Sequence, residues 1–152
     1  MSKKFIYNYL SEEQLNSISA KIKEIEKATS AELVITIKEK RGWLEKHKSI
    51  TELAEKEFVN AGIGKTKSGT GILFFLIFNA REFCILADKA IDDKVQQSVW
   101  DSMSKELVNN FKQEKYFDGI ISVIDNAGKI LSHYFPITDS DKNELPDKVR
   151  IE

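Results

Sequence analysis

Gly71-Ile72-Leu73-Phe74-Phe75-Leu76-Ile77-Phe78 is apolar at every position. Successive side chains of a strand point to opposite faces, so an unbroken apolar run of this length reads as a central strand covered on both sides. It is far short of the roughly 20 apolar residues that a membrane-spanning helix needs. The neighbouring segments fall into place around it. Downstream, Asn79-Ala80-Arg81 marks a turn, and Glu82 to Ala87 reads as the returning strand of a hairpin. Upstream, Ala31 to Ile37 is apolar and β-branched enough for another strand. A charged stretch, Lys38 to Lys48, carries Gly42 and Trp43 and reads as a surface loop. Gly64 to Gly69 is a second loop, rich in Lys, Ser, Thr and Gly.

Four segments carry helical spacing. Leu15, Ile18, Ile22 and Ile25 recur at intervals of three and four between Ser11 and Ala28. Ser11-Glu12-Glu13-Gln14 has the form of a capping box, and Ser49-Ile50-Thr51-Glu52 repeats it. Ile50, Leu53, Ala54, Phe58 and Ala61 mark the helix that follows the second box, with Gly62 as its stop. Val95, Val99, Met103 and Leu107 predict a helix from about Asp92 to Lys112. Ile120, Ile124, Ala127 and Leu131 predict one from Phe117 to Phe135, ended by Pro136.

The element order is therefore α-β-α-β-β-α-α. A strand–helix–strand unit followed by a hairpin predicts an α/β fold, a small mixed sheet sandwiched between helices on both faces. Residues 1–136 form one domain on this reading, and 137–152 a polar, mobile tail.

Composition narrows the function. The chain has 152 residues, with 23 Lys+Arg against 24 Asp+Glu. Without a cationic excess, sequence-wide binding to nucleic acid or to anionic membrane is not expected, although a local basic patch remains open. The single Cys84 makes no intramolecular disulfide, and one Cys with two His excludes a Cys-rich zinc site. No secretory leader or membrane span is visible, so a monomeric cytoplasmic protein is the expectation.

Topology then gathers scattered residues. In a βαβ unit the two strands run parallel, so Ala31 and Gly71 start at the same sheet edge. The hairpin strand ends there, at Asp88, and the next helix begins there, at Asp92-Asp93. Ser30, Glu32, Lys65, Lys67, Ser68, Thr70, Asp88, Lys89, Asp92 and Asp93 should thus share one edge, with Asp125 reaching it from the last helix. Clustered carboxylates repel, and a hard cation relieves the repulsion: Ca²⁺, or alternatively Mg²⁺. Each piece also has a plainer role. Asp92 and Asp93 suit a helix N-terminus, Asp88 suits a turn, Glu32 an exposed edge, and the lysines solvated loops.

Three apparent motifs fail on inspection. Gly64-Lys65-Thr66 resembles the end of a P-loop, but Val59 stands where its first glycine belongs, and the loop precedes a strand. Asp139-Ser140-Asp141-Lys142-Asn143 resembles an EF-hand loop, but Glu144 and Arg150 occupy its glycine and bidentate glutamate positions. His47, His133 and Cys84 belong to no nucleophile motif, and Cys84 reads as a buried structural thiol.

The strings Leu10-Ser11-Glu12-Glu13-Gln14, Thr29-Ser30-Ala31-Glu32-Leu33 and Ser68-Gly69-Thr70-Gly71-Ile72 resemble the TPM domain family in order and spacing. So do Ala87-Asp88-Lys89-Ala90-Ile91, Lys94-Val95, Trp100, Tyr116-Phe117-Asp118-Gly119-Ile120, Gly128, Leu131 and Phe135-Pro136. The resemblance covers roughly residues 9 to 136. It implies an α/β sandwich with a divalent-cation site at one sheet edge. Some members are acid phosphatases, and others act as assembly or maintenance factors for membrane complexes. Many relatives carry a signal peptide and membrane anchor; this chain looks like a free-standing version. Asp88 is the best-matched metal position, and Glu32 matches the acidic position after the first helix. Asp92, Asp93 and Asp125 rest on the geometric argument. Glu114-Lys115 departs from the glycine-containing turn often found before the tyrosine.

The expectation is a Ca²⁺-binding domain with weak metal-dependent phosphomonoesterase activity. Glu32, Asp88, Asp92, Asp93 and Asp125 are the candidate ligands. Asp88 and Lys89 are the candidate catalytic pair, with Lys65 or Lys67 offsetting phosphate charge. The alternative is a non-enzymatic interaction or assembly module stabilised by the cation.

Overall fold

The computed structural model describes residues 3–66, 68–138, 145 and 148–152. Its centre is the apolar run. Strand β2 (Gly71–Ile77) is buried at all seven positions and lies between β1 (Glu32–Lys38) and β3 (Glu82–Ala87). β1 pairs parallel to β2 from Glu32↔Gly71 to Lys38↔Ile77, and β3 returns antiparallel from Ile77↔Glu82 to Ile72↔Ala87. A fourth strand, β4 (Val149–Ile151), pairs parallel to β1, giving the order β3-β2-β1-β4. The end of the segment expected to be a mobile tail is thus part of the sheet. Its alternation of apolar, charged and apolar residues fits the open edge of β1, whose backbone groups would otherwise lack partners.

Helices cover both faces. On one side lie α1 (Glu12–Glu26), α4 (Gln97–Lys112) and α5 (Tyr116–Tyr134), packed over Leu33, Ile35, Ile37, Ile72, Phe74 and Leu76. On the other, α2 (Ile50–Asn60) covers Val34, Leu73, Phe75 and Ile77, together with Leu145. Each fully buried Phe, Leu or Ile contributes roughly 1.5–3 kcal/mol, and the strand register decides which core it joins. Gly71 begins β2 where a Cβ would lie 2.5 Å from Ile63 Cγ2 and 2.8 Å from the Ile63 carbonyl oxygen.

The first capping box forms as read: Gln14 N–H donates to Ser11 Oγ at 3.1 Å, and Ser11 N–H to Gln14 Oε1 at 2.9 Å. Ser49 Oγ likewise accepts from Glu52 N–H at 3.1 Å. Gly62 stops α2 with φ of +73°, a left-handed conformation natural to glycine. Thr29 Oγ1 ties the end of α1 to the end of α5, 2.6 Å from the Phe135 carbonyl oxygen.

One expected helix is divided. In place of a helix from Asp92 to Lys112 there is a single turn, α3 (Lys89–Asp92), then a break, then α4 from Gln97. Ile91 and Trp100 are both fully buried. At about 3.6 residues per turn they would lie on opposite faces of one continuous helix, so burying both requires a break between them. The buried stripe of α4 accordingly runs through Trp100, Leu107 and Phe111, while Val99 is exposed.

Candidate metal centre

Backbone hydrogen bonds assemble the expected edge. Glu32 N–H donates to Thr70 O at 3.0 Å, Asp88 N–H to Gly71 O at 2.9 Å, and Ala90 N–H to Gly69 O at 3.1 Å. Asp88 is the N-cap of α3, and its Oδ1 accepts from Lys89 N–H at 2.8 Å. Gly69, at φ +66°, adjoins the turn, where an added Cβ would meet Ala90 Cβ at 3.6 Å and Asp88 Oδ2 at 3.9 Å, both ordinary contacts. Asp92 and Asp93 end the same turn rather than opening the long helix. Partial desolvation, then the charges of Asp93 and Asp88, push the Asp92 carboxyl above its ordinary range.

The other two candidate ligands go elsewhere. Glu32 is 4% exposed and lies on the β1 face shared by Val34 and Thr36. Its Oε1 accepts from Leu145 N–H at 3.0 Å and from Lys148 Nζ at 3.0 Å. Asp125 belongs to the helical layer on the opposite face, paired with Lys21 at 3.4 Å and with Lys129 at 3.5 Å. Reasoning from the sheet edge alone left out which face each element occupies: strand alternation sends Glu32 to the α2 side, and α5 holds Asp125 on the other.

The remaining donor set, Asp88, Asp92 and Asp93, is all carboxylate oxygen, as a hard cation prefers. Among the described residues no three His, Cys, Asp or Glu side chains already converge as ligands. Asp92 and Asp93 are both exposed, and Asp88 is half-buried. The adjoining loop holds a buried hydroxyl, Thr66 Oγ1, without a hydrogen-bond partner among the described residues. Lys89 and Lys65 are exposed beside the turn and in the loop, respectively. Lys67 lies outside the described residues, as do Asp139 to Glu144 of the EF-hand-like string.

Cys84 sits on β3, and burial pushes its thiol up to about 11, so it is no thiolate nucleophile at neutral pH. Phe111 and Tyr116 are core aromatics around Phe78, which stacks on Tyr9 with ring centroids 4.4 Å apart. Sequence reasoning missed the ionic groups that hold β4. Lys148 Nζ bridges Glu26 at 2.9 Å and Glu32 at 3.0 Å, and Arg150 Nε reaches Glu57 at 3.0 Å. Glu57 also accepts from the buried Thr36 hydroxyl at 2.6 Å. A cavity of about 170 Å³ beside this second group is lined by Lys38, Glu45, Lys56, Glu57, Asn60 and Glu152. The alternating Val149-Arg150-Ile151 was the one sequence signal for the strand that brings these charges in.

A four-stranded mixed sheet with three helices on one face and one on the other, and a carboxylate turn at the parallel-strand edge, defines a small α/β sandwich class. The TPM domain family matches residues 7–130, and the chain belongs to that family. It is similar to the BA42 protein of the psychrophilic bacterium Bizionia argentinensis, with 29% identity and a TM-score of 0.80. That match covers 93% of this chain and 94% of the other. The N-terminal domain of a P. gingivalis protein shares the fold at 15% identity and a TM-score of 0.70, covering 84% and 79%. The N-terminal domain of the cg2496 protein of Corynebacterium glutamicum does so at 10% identity and a TM-score of 0.60, covering 92% and 82%. No curated protein matches the chain. Among the described residues, no helix is long and apolar enough to cross a membrane.

Proposed function

We propose that this TPM domain binds a divalent cation, Ca²⁺ or Mg²⁺, at the Asp88–Asp92–Asp93 turn and hydrolyses phosphomonoesters weakly there. The observation that carries the reading is the gathering of three carboxylates on one turn, where partial burial first, and then the charges of Asp93 and Asp88, raise the Asp92 carboxyl above its ordinary range. Asp88, Asp92 and Asp93 would hold the ion; Glu32 and Asp125, neutralised by lysines, do not belong to the set. When bound, such an ion supplies positive charge that polarises a phosphoryl oxygen and acidifies a water. The chain's own part is to hold Asp88 by its bond from Lys89 N–H, to present the two exposed carboxylates, and to offset phosphate charge with the Lys89 and Lys65 ammonium groups. The sequence offers no nucleophile motif at the turn, which favours direct attack by water over a phosphoenzyme.

The openness of Asp92 and Asp93 favours a second reading, in which the cation only rigidifies the turn and loop 62–70 of an interaction module. Binding to the folded state alone raises the melting temperature by mass action.

Ca²⁺ and Mg²⁺ titrations followed by backbone amide NMR, paired with p-nitrophenyl phosphate turnover, test both. Amide shifts at 65–70 and 88–94, with turnover lost in Asp88→Asn, support the enzyme. The same shifts with no turnover above background select the interaction module. No shifts at millimolar cation overturn the site. Asn remains a good N-cap, so Asp88→Asn leaves the turn folded.

A further inference from the structure

We propose that the loop joining β1 to α2 is a reversible anchor for anionic lipid surfaces. Trp43 and Leu44 form a 3₁₀ turn at its tip and are the two most exposed large apolar side chains among the described residues, 79% and 72% exposed. Water-facing Trp–Leu pairs of this kind call for a partner.

The pair is held out rather than left loose. Arg41 grips Glu82 with both ends of its guanidinium, Nε to Oε1 at 3.0 Å and Nη2 to Oε2 at 2.8 Å. Its Nη1 donates to the carbonyls of Glu45 and Lys48, spanning the turn. Glu45 in turn accepts from Gly42 N–H at 2.8 Å and from Lys38 Nζ at 3.1 Å. A loop already ordered in its binding shape loses little entropy on docking.

Charge identifies the partner. Residues 38–48 carry five Lys or Arg against two Glu in a chain whose formal net charge is −1. Arg41 and Lys38 neutralise Glu82 and Glu45, whereas Lys40, Lys46 and Lys48 are exposed around the tip, with His47 between them. Glu39 is the one opposing exposed acid of the stretch. The carboxylate turn lies at the other end of the strands, so its repulsion does not fall on the same surface.

Size decides between lipid and protein. One Trp buries roughly 150–250 Å², and adding Leu leaves the pair well below the roughly 800 Å² per partner of a stable protein interface. A headgroup layer needs no such area. Trp partitions to that layer, each surface lysine strengthens binding to anionic lipid by about fivefold, and a shallow apolar anchor plus cations gives reversible attachment.

The test is co-sedimentation of the full chain with phosphatidylcholine vesicles, with and without phosphatidylglycerol, while following tryptophan emission. Trp100 is fully buried, so a blue shift reports Trp43. Binding to the anionic vesicles only is expected, weakened by salt, abolished in Trp43→Ser/Leu44→Ser, and reduced about fivefold by each of Lys40→Gln, Lys46→Gln and Lys48→Gln. All five positions are exposed, so these variants keep the parent melting temperature. Absence of binding to anionic vesicles, or binding that survives loss of Trp43 and Leu44, overturns the proposal.

Discussion

Lys148→Met tests the ion pairs that hold β4 and neutralise Glu32. Lys148 Nζ lies 2.9 Å from Glu26 and 3.0 Å from Glu32, with side chains 15%, 6% and 5% exposed, respectively. Methionine keeps most of the length and removes the charge, leaving two buried carboxylates facing each other. Removing one partner of a buried pair costs about 3–5 kcal/mol. The lower end applies here, because each carboxylate keeps one backbone donor: Leu33 N–H for Glu26 and Leu145 N–H for Glu32. Urea unfolding at pH 7.5 should therefore show a loss of about 3 kcal/mol. The amides of Ile35 and Glu152, which bond across β1 and β4 at 2.8 Å, should lose protection from exchange together. Glu32→Gln in the same background should recover part of the loss. A loss under about 1 kcal/mol, with both amides still protected, would refute the reasoning.

Two further outcomes follow from local geometry. Glu114 holds φ at +61° in the turn between α4 and α5, where a left-handed conformation costs a residue with a Cβ about 1–2 kcal/mol. Glu114→Gly should raise stability by about 0.5–1 kcal/mol in thermal or urea melts; an unchanged or lower melting point would show the strain is absorbed elsewhere. Burial first, and then hydrogen bonding to Glu57 and its charge, push the Glu152 carboxyl from 4.5 up to about 7. A raised folded pKa gives stability that is full below the unfolded value and lost as pH rises through the folded one. Protection of the Glu152 amide should thus fall between pH 4.5 and about 7, and Glu152→Gln should flatten that profile.

The α/β sandwich could be read because its signals are local. The unbroken β2 run, the hairpin turn, the Ser11 capping box and the Gly62 stop depend on near neighbours, and each formed where its residues predicted. Parallel pairing of β1 and β2 then brought Glu32, Thr70 and Asp88 to one edge, a consequence of connectivity alone. The division of the Asp92–Lys112 helix was not legible, because Ile91 and Trp100 are both apolar and only the shape of the core decides that both are buried. Three Val-Arg-Ile positions in a polar segment gave too short a pattern to announce β4. With β4 came Lys148, and with Lys148 the neutralisation of Glu32.

What the sequence determined by itself was the order of the main helices and of the first three strands, the mixed sheet, and the edge that Glu32 and Asp88 share. Periodicity, capping and chain connectivity act over short separations and need no partner from elsewhere in the chain. The tertiary structure alone decided which acids remain together. Strand alternation sends Glu32 to one face, α5 keeps Asp125 on the other beside Lys21, and only Asp88, Asp92 and Asp93 share a turn. Charge neutralisation depends on residues more than a hundred positions apart, and only the folded chain brings them within reach.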